Sequence, residues 1–240
     1  MRYLGLDVHA KSTVWSLHDS QGEVQHGKID TTGPELHKLV ERLSETQELV
    51  VGQEVGTMSH FVHDALSAVS VRNLAFNAAQ MRMIASSRKK MDRRDAWRIA
   101  KALAAGITQH PVHIPDAQVR LVRSLLSRRN AIANERRRWQ MRARSYLRAA
   151  DFRLPKARRS VDWLLQWAVD QELGIDAHLD DALQLRGRQH KELGLELKSL
   201  DTQLRRLTKN LPEVCRLRTI PAVGEKVAIA IYAWARGWET

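Results

Sequence analysis

Along the first third of the chain, apolar and polar residues alternate or fall into short apolar blocks, as strands require. Residues 3–8 and 12–18 read as two strands joined by a tight turn, and 23–29 as a third after the turn signal Asp19-Ser20-Gln21-Gly22. The period then lengthens. Thr32-Gly33-Pro34-Glu35 opens a helix with Leu36, Leu39, Val40 and Leu43 on one face. Leu49 to Gly52 reads as a short buried strand, 57–69 as a helix and 71–76 as a fifth strand closed by Asn77. Three strands followed by alternating helix and strand predict an α/β domain: a mixed five-stranded sheet with helices packed on it. Residues 78–87 and 93–105 read as two helices interrupted near Lys89 to Met91, and Gly106, Pro111 and Pro115 mark a boundary.

Beyond Asp116 the strand signals stop. Residues 119–150 carry Leu121, Leu125, Ile132, Trp139 and Tyr146 at the spacing of one helical seam, with nearly all-arginine outer faces. Pro155 breaks this helix, and a short one follows at 161–169 with Trp163, Leu164 and Trp167. Leu179, Leu183, Arg186, His190, Leu193, Leu197, Leu200, Leu204, Leu207 and Leu211 then alternate steps of four and three, the a/d period of a coiled coil. That seam needs a partner, either the 119–150 helix or a second copy of the chain. After Pro212, the segment 217–226 joins a helix to a turn and to an apolar helix at 227–234. This helix-hairpin-helix-like arrangement can offer backbone N–H groups to a phosphate. The expected organisation is an α/β domain over 1–110, an all-α basic coiled-coil region over 116–211, and the start of a further, incomplete domain over 212–240.

Charge sharpens the second half. The net charge is +12, and between Arg120 and Arg159 stand fourteen Arg or Lys against two acids, Glu135 and Asp151, so this block carries the whole excess. Concentrated in this way, the charge reads as a polyanion-binding surface, with nucleic acid the expected polyanion. Arg128, Arg129, Arg136, Arg137, Arg138, Arg142, Arg144 and Arg148 are its candidate contacts, joined upstream by Arg88, Lys89 and Lys90. Trp139 and Tyr146 could stack on bases, although their spacing suits core packing. The single cysteine, Cys215, excludes an internal disulfide framework, and no apolar run approaches the ~20 residues of a membrane span. A cytoplasmic protein with no membrane contact is expected.

Four acids supply candidate chemistry. Asp7 and Glu54 each follow a short apolar run that reads as a buried strand, and Asp92 and Asp95 stand three apart, on one face of a helix. Alone, each has a plainer reading: a turn or cap for Asp7 and Glu54, a salt-bridged helix start for the pair. Together, delivered by two strands and a helix, they would make a cage for hard divalent cations. The surrounding basic residues suit a phosphodiester substrate. His9, His60 and His63 have no zinc-motif partners, and no Gly-rich phosphate loop is present.

Gly5-Leu6-Asp7-Val8-His9, Glu54-Val55-Gly56, Asn77-Ala78-Ala79-Gln80, and Lys90-Met91-Asp92-Arg93-Arg94-Asp95-Ala96 with Ile99-Ala100 resemble the DEDD transposases of the insertion-sequence family that includes the pilin-gene invertases and bridge-RNA-guided recombinases. The resemblance runs on to Thr219-Ile220-Pro221-Ala222-Val223-Gly224. It implies a RuvC-like, RNase H-type first domain in which Asp7, Glu54, Asp92 and Asp95 are catalytic and hold Mg²⁺ or Mn²⁺. It also implies a coiled coil used in homo-oligomer formation and in binding guide RNA and DNA, and bacterial cytoplasm, at the nucleoid, as the place of action. Family members continue into a domain with a nucleophilic serine, and the chain is expected to stop before it. Ala78 and Met91 replace the family's usual Pro and Thr. The leading expectation is a transposase or site-specific recombinase. The alternatives are a truncated, non-catalytic nucleic-acid-binding dimer and a stand-alone structure-selective nuclease.

Overall fold

A computed structural model describes residues 1–19, 21–45, 47–77, 92–107, 111–154, 163–164 and 177–235, without the side chains of Val24, Asp92, Arg93, Arg94 and residues 177–180. The helix expected over 78–87, the cations Arg88, Lys89 and Lys90, most of the 161–169 helix and the Leu179 side chain lie outside the described residues. The chain forms two compact units, 1–114 and 115–240.

Unit 1 holds β1 (Arg2–Val8), β2 (Ser12–Asp19), β3 (Gly22–Asp30), α1 (Gly33–Ser44), β4 (Leu49–Glu54), α2 (Ser59–Ala68), β5 (Arg72–Phe76) and α3 (Asp92–Ala104). The sheet order is β3-β2-β1-β4-β5. β1 pairs antiparallel with β2 and parallel with β4, β2 pairs antiparallel with β3, and β4 pairs parallel with β5. This is the mixed five-stranded α/β sheet with helices on its faces that the strand and helix signals predict.

Strand alternation gives the sheet two different faces. On one, Leu4 and Leu6 of β1 stand beside Leu17 and Trp15 of β2 and pack on Leu36, Leu39, Val40 and Leu43 of α1 and Val62 and Leu66 of α2. Each fully buried leucine there is worth about 1.5–3 kcal/mol relative to exposure. The α1 start follows its sequence signal: Thr32 caps it by accepting from the Glu35 N–H at 3.4 Å, and Pro34 lies in its first turn. On the opposite face, Tyr3, Val50, Leu74 and Phe76 pack against Ile99, Ala102 and Leu103 of α3.

Unit 2 holds α4 (Ala117–Ala149), α5 (Ala177–Thr208), α6 (Pro212–Leu217) and α7 (Glu225–Ala235). Asp116 caps α4 by accepting from the Val119 N–H at 2.8 Å. α4 and α5 run antiparallel: Arg129 meets Asp201, Arg136 lies over Gly194, the Arg186 guanidinium covers Trp139, and Leu147 shares a cluster with Leu183. The leucine-rich seam of α5 is therefore covered within the chain by α4.

The seam of α4 matches the expected one only in part: Leu125 packs against the buried cluster and Ile132, Trp139 and Tyr146 are half-buried. Val119, Val122, Leu126, Ala143 and Leu147 are buried, whereas Leu121 is 47% exposed. The reason is that α4 serves two partners. Val119, Val122 and Leu126 share a core with Leu204 of α5, Val214 of α6 and Ala228, Ile229, Tyr232 and Ala233 of α7. The helices of 212–235 thus close this core as part of unit 2. No helix among the described residues is long and apolar enough to cross a membrane.

Candidate functional site

Two paired glycines position the acids. Gly5 of β1 and Gly52 of β4 are register partners on adjacent parallel strands. A Cβ on Gly5 would overlap the Ala96 carbonyl oxygen and stand 2.5 Å from the Ala100 nitrogen; one on Gly52 would stand 2.6 Å from Leu103 Cδ1 and 2.8 Å from Ile99 Cγ2. The missing side chains let the backbone of α3 lie directly on the sheet. Two residues beyond each glycine, on the same face by strand alternation, come Asp7 and Glu54. Asp95 immediately precedes Ala96 and so sits on the turn of α3 nearest β1. Asp92 opens α3 one turn earlier; its side chain lies outside the described residues.

The backbone around these acids is anchored. The Thr31 hydroxyl donates to the His9 carbonyl at 2.7 Å and pairs with the Thr13 hydroxyl at 2.9 Å, which fixes the turn after β1. After β4, the Val55 N–H donates to the Phe76 carbonyl at 2.8 Å, and Ser59 accepts from the Gly56 N–H at 2.6 Å while donating to the Glu54 carbonyl at 3.3 Å.

The carboxylates differ in surroundings. His9 Nε2 stands 3.3 Å from Asp7 Oδ2. Arg98 Nη1 donates to Asp95 Oδ1 at 2.9 Å, with both side chains largely covered. Glu54 ends its strand exposed to solvent. All are hard oxygen donors, as divalent ions such as Mg²⁺ or Mn²⁺ take. Among the described residues no three Asp, Glu, His or Cys side chains converge into one metal shell, the side chain of Asp92 not being among them.

Sequence reasoning missed His9 as a neighbour of Asp7 and Arg98 as the partner of Asp95. The second had a signal, the i,i+3 spacing of opposite charges on a helix. It also missed that Gly5 and Gly52 each stand two residues before an acid, a repeated Gly-x-acid pattern readable in the chain.

The basic candidates on α4 divide by surroundings. Arg128 pairs with Glu196 at 2.6 Å, Arg129 with Asp201 at 2.6 Å and Arg138 with Glu135 at 3.3 Å. Arg142 and Arg186 lie over Trp139 at 4.9 and 3.9 Å, so guanidinium groups cover this indole. Arg144 is only 8% exposed and turns inward, unlike the outward arginines Arg137 and Arg148. Lys226 of α7 also bonds Asp201, at 2.7 Å. Burial pushes the Asp201 carboxyl up, but hydrogen bonds and charge from Arg129 and Lys226 outweigh it and hold it below the usual range.

A family model described as transposase, of the DEDD type named for IS110, matches residues 4–151, which include all four acids and the whole of α4. No curated protein matches the sequence. A solved structure of T. thermophilus RuvC in complex with a Holliday junction substrate is similar at 11% identity, over 46% of this chain and 98% of that one, with a TM-score of 0.36. Matched by its family model over more than half its length, the chain belongs to the DEDD transposase family of the IS110 type.

Proposed function

We propose that the chain is a DNA transposase or recombinase whose RNase H-like unit works on a phosphodiester at Asp7, Glu54, Asp92 and Asp95, while α4 grips nucleic acid. The observation that carries this reading is the Gly5–Gly52 pair, which draws Asp95 on α3 toward the strand ends bearing Asp7 and Glu54. In this role the four carboxylates hold Mg²⁺ or Mn²⁺. Such ions supply activation of an attacking oxygen and charge stabilisation for the leaving one. Arg98 orients Asp95 by occupying one of its oxygens. His9 faces Asp7 and limits how its carboxylate can turn. The partners on this reading are DNA and a structured guide RNA, held through phosphate contacts from the outward arginines of α4, in a homo-oligomer assembled through the helical region.

The test is cleavage or transfer of labelled DNA with Mg²⁺ present, comparing the wild type with Asp7→Asn, Glu54→Gln, Asp92→Asn and Asp95→Asn. Loss of activity with retained melting behaviour in all four supports the acid site. Full activity in any of them removes that residue from it.

A second reading, a non-catalytic nucleic-acid binder, draws on the engagement of Asp7 by His9 and of Asp95 by Arg98. It expects salt-dependent nucleic-acid binding that survives loss of all four acids, with no cleavage by the wild type.

A further inference from the structure

Midway along the α4–α5 pair lies a cleft of about 430 Å³. Its wall includes Arg129, Arg136, Arg137, Gln140 and His190, with Leu197 as an apolar wall residue. The charge within it is unequally compensated. Arg129 is held by Asp201. Among the described residues no carboxylate pairs with Arg136 or Arg137, although α5 supplies acids to their neighbours Arg128 and Arg129.

Arg136 is also seated, not free in solvent. Its guanidinium carbon lies 3.6 Å from where a Cβ on Gly194 would be, so the glycine of α5 makes room for it. Its Nε is buried with no hydrogen-bond partner. Packing therefore holds this charge in place without neutralising it, beside the exposed guanidinium of Arg137. Fixed guanidinium forks at a concave polar wall match the oxygens of a phosphate, which accept paired N–H donors. The volume falls within the roughly 300–1,000 Å³ of small-molecule sites, enough for a phosphate with its adjoining sugar.

We propose that this cleft seats one backbone phosphate of a bound nucleic acid, with Arg136 and Arg137 as the anion ligands. The proposal rests on the reading of α4 as a nucleic-acid-binding helix and adds a defined place where the backbone is registered.

The experiment titrates the full chain into labelled single-stranded and duplex oligonucleotides at several salt concentrations, following anisotropy. Arg136→Gln/Arg137→Gln is compared with Arg138→Gln/Arg148→Gln, which removes equal charge from α4 outside the cleft wall. Arg137→Glu alone, at an exposed position, keeps the test valid if loss of Arg136 unfolds the helix pair. The expected result is an affinity loss at least about tenfold greater for the cleft pair, with the log–log salt slope falling by about 0.9 per lost duplex contact. Equal losses from the two pairs would overturn the seat while leaving nucleic-acid binding by α4 intact. No oligonucleotide binding by the wild type, even at low salt, would overturn both. Inorganic phosphate and polyglutamate serve as competitors. Displacement of the oligonucleotide only at high phosphate concentration supports a backbone seat. Tighter, Arg137-dependent binding of free phosphate or of polyglutamate than of the oligonucleotide would overturn it.

Discussion

Gly5 lies directly beneath Ala96, so closely that a methyl group on the glycine would overlap the alanine carbonyl oxygen. The contact is between backbones, a strand and a helix, and neither can swing aside as a side chain can. Gly5→Ala is therefore expected to destabilise unit 1 by about 1–3 kcal/mol or more and to lift α3, carrying Asp95 away from β1. At Gly52 the obstructing atoms are the ends of Leu103 and Ile99. Gly52→Ala should cost less, because those side chains can repack. Urea denaturation of both variants checks the order; a larger loss at Gly52 would contradict this account of how α3 is seated.

His18 supplies a pH prediction. It is 4% exposed on β2, edge-on to the Trp97 ring of α3 at 5.9 Å between centroids. Burial, helped by Lys101 and opposed by Glu23 and Asp19, holds its pKa below the ordinary 6.5. The unfolded chain thus takes up the proton first as pH falls, so stability is complete above about 6.5 and declines from there toward the folded-state pKa. Denaturation of the wild type at pH 7.5 and 5.5 should show this loss, and His18→Leu should reduce it. An unchanged pH dependence in the variant would contradict the assignment.

Asp201 ties α4, α5 and α7 together through Arg129 and Lys226. Its pKa is lowered in the folded state, so its contribution is present above the ordinary carboxyl value of 3.8 and is lost as pH falls through the lower folded value. Asp201→Ala should lower stability of unit 2 by about 1–3 kcal/mol, because Arg129 and Lys226 lose charge-assisted hydrogen bonds. Thermal melts of wild type and variant at neutral pH measure it, and a variant as stable as the wild type would contradict the role.

Much of unit 1 was legible in the sequence because its signals are local. The strands carry period-two or continuous apolar runs, and α1 has its Thr32 cap and Pro34. The strand signal of β4 stops at Gly52, since Gly52-Gln53-Glu54 has little strand character, yet pairing with β5 carries the strand to Glu54. In unit 2 the α5 period was visible but its partner was not, because a heptad seam looks the same whether a helix of the same chain or of another covers it. The α4 seam is only partly legible for a related reason: α5 and the α6–α7 pair bury the helix jointly, which no single period describes. Arg144 shows the same limit, since an arginine's type predicts exposure and only the packing of α4 turns it inward. The four acids were legible as types and positions. The paired glycines that bring their elements together leave only a faint trace, the Gly-x-acid repeat, because their pairing depends on strand register.

Calorimetric titration with Mn²⁺ tests most directly the central claim, that Asp7, Glu54, Asp92 and Asp95 hold divalent ions in common. The account predicts binding by the wild-type chain that weakens at least about tenfold in Asp7→Asn, Glu54→Gln and Asp95→Asn while their melting transitions are retained. Absence of binding, or binding that all three substitutions leave unchanged, would contradict it.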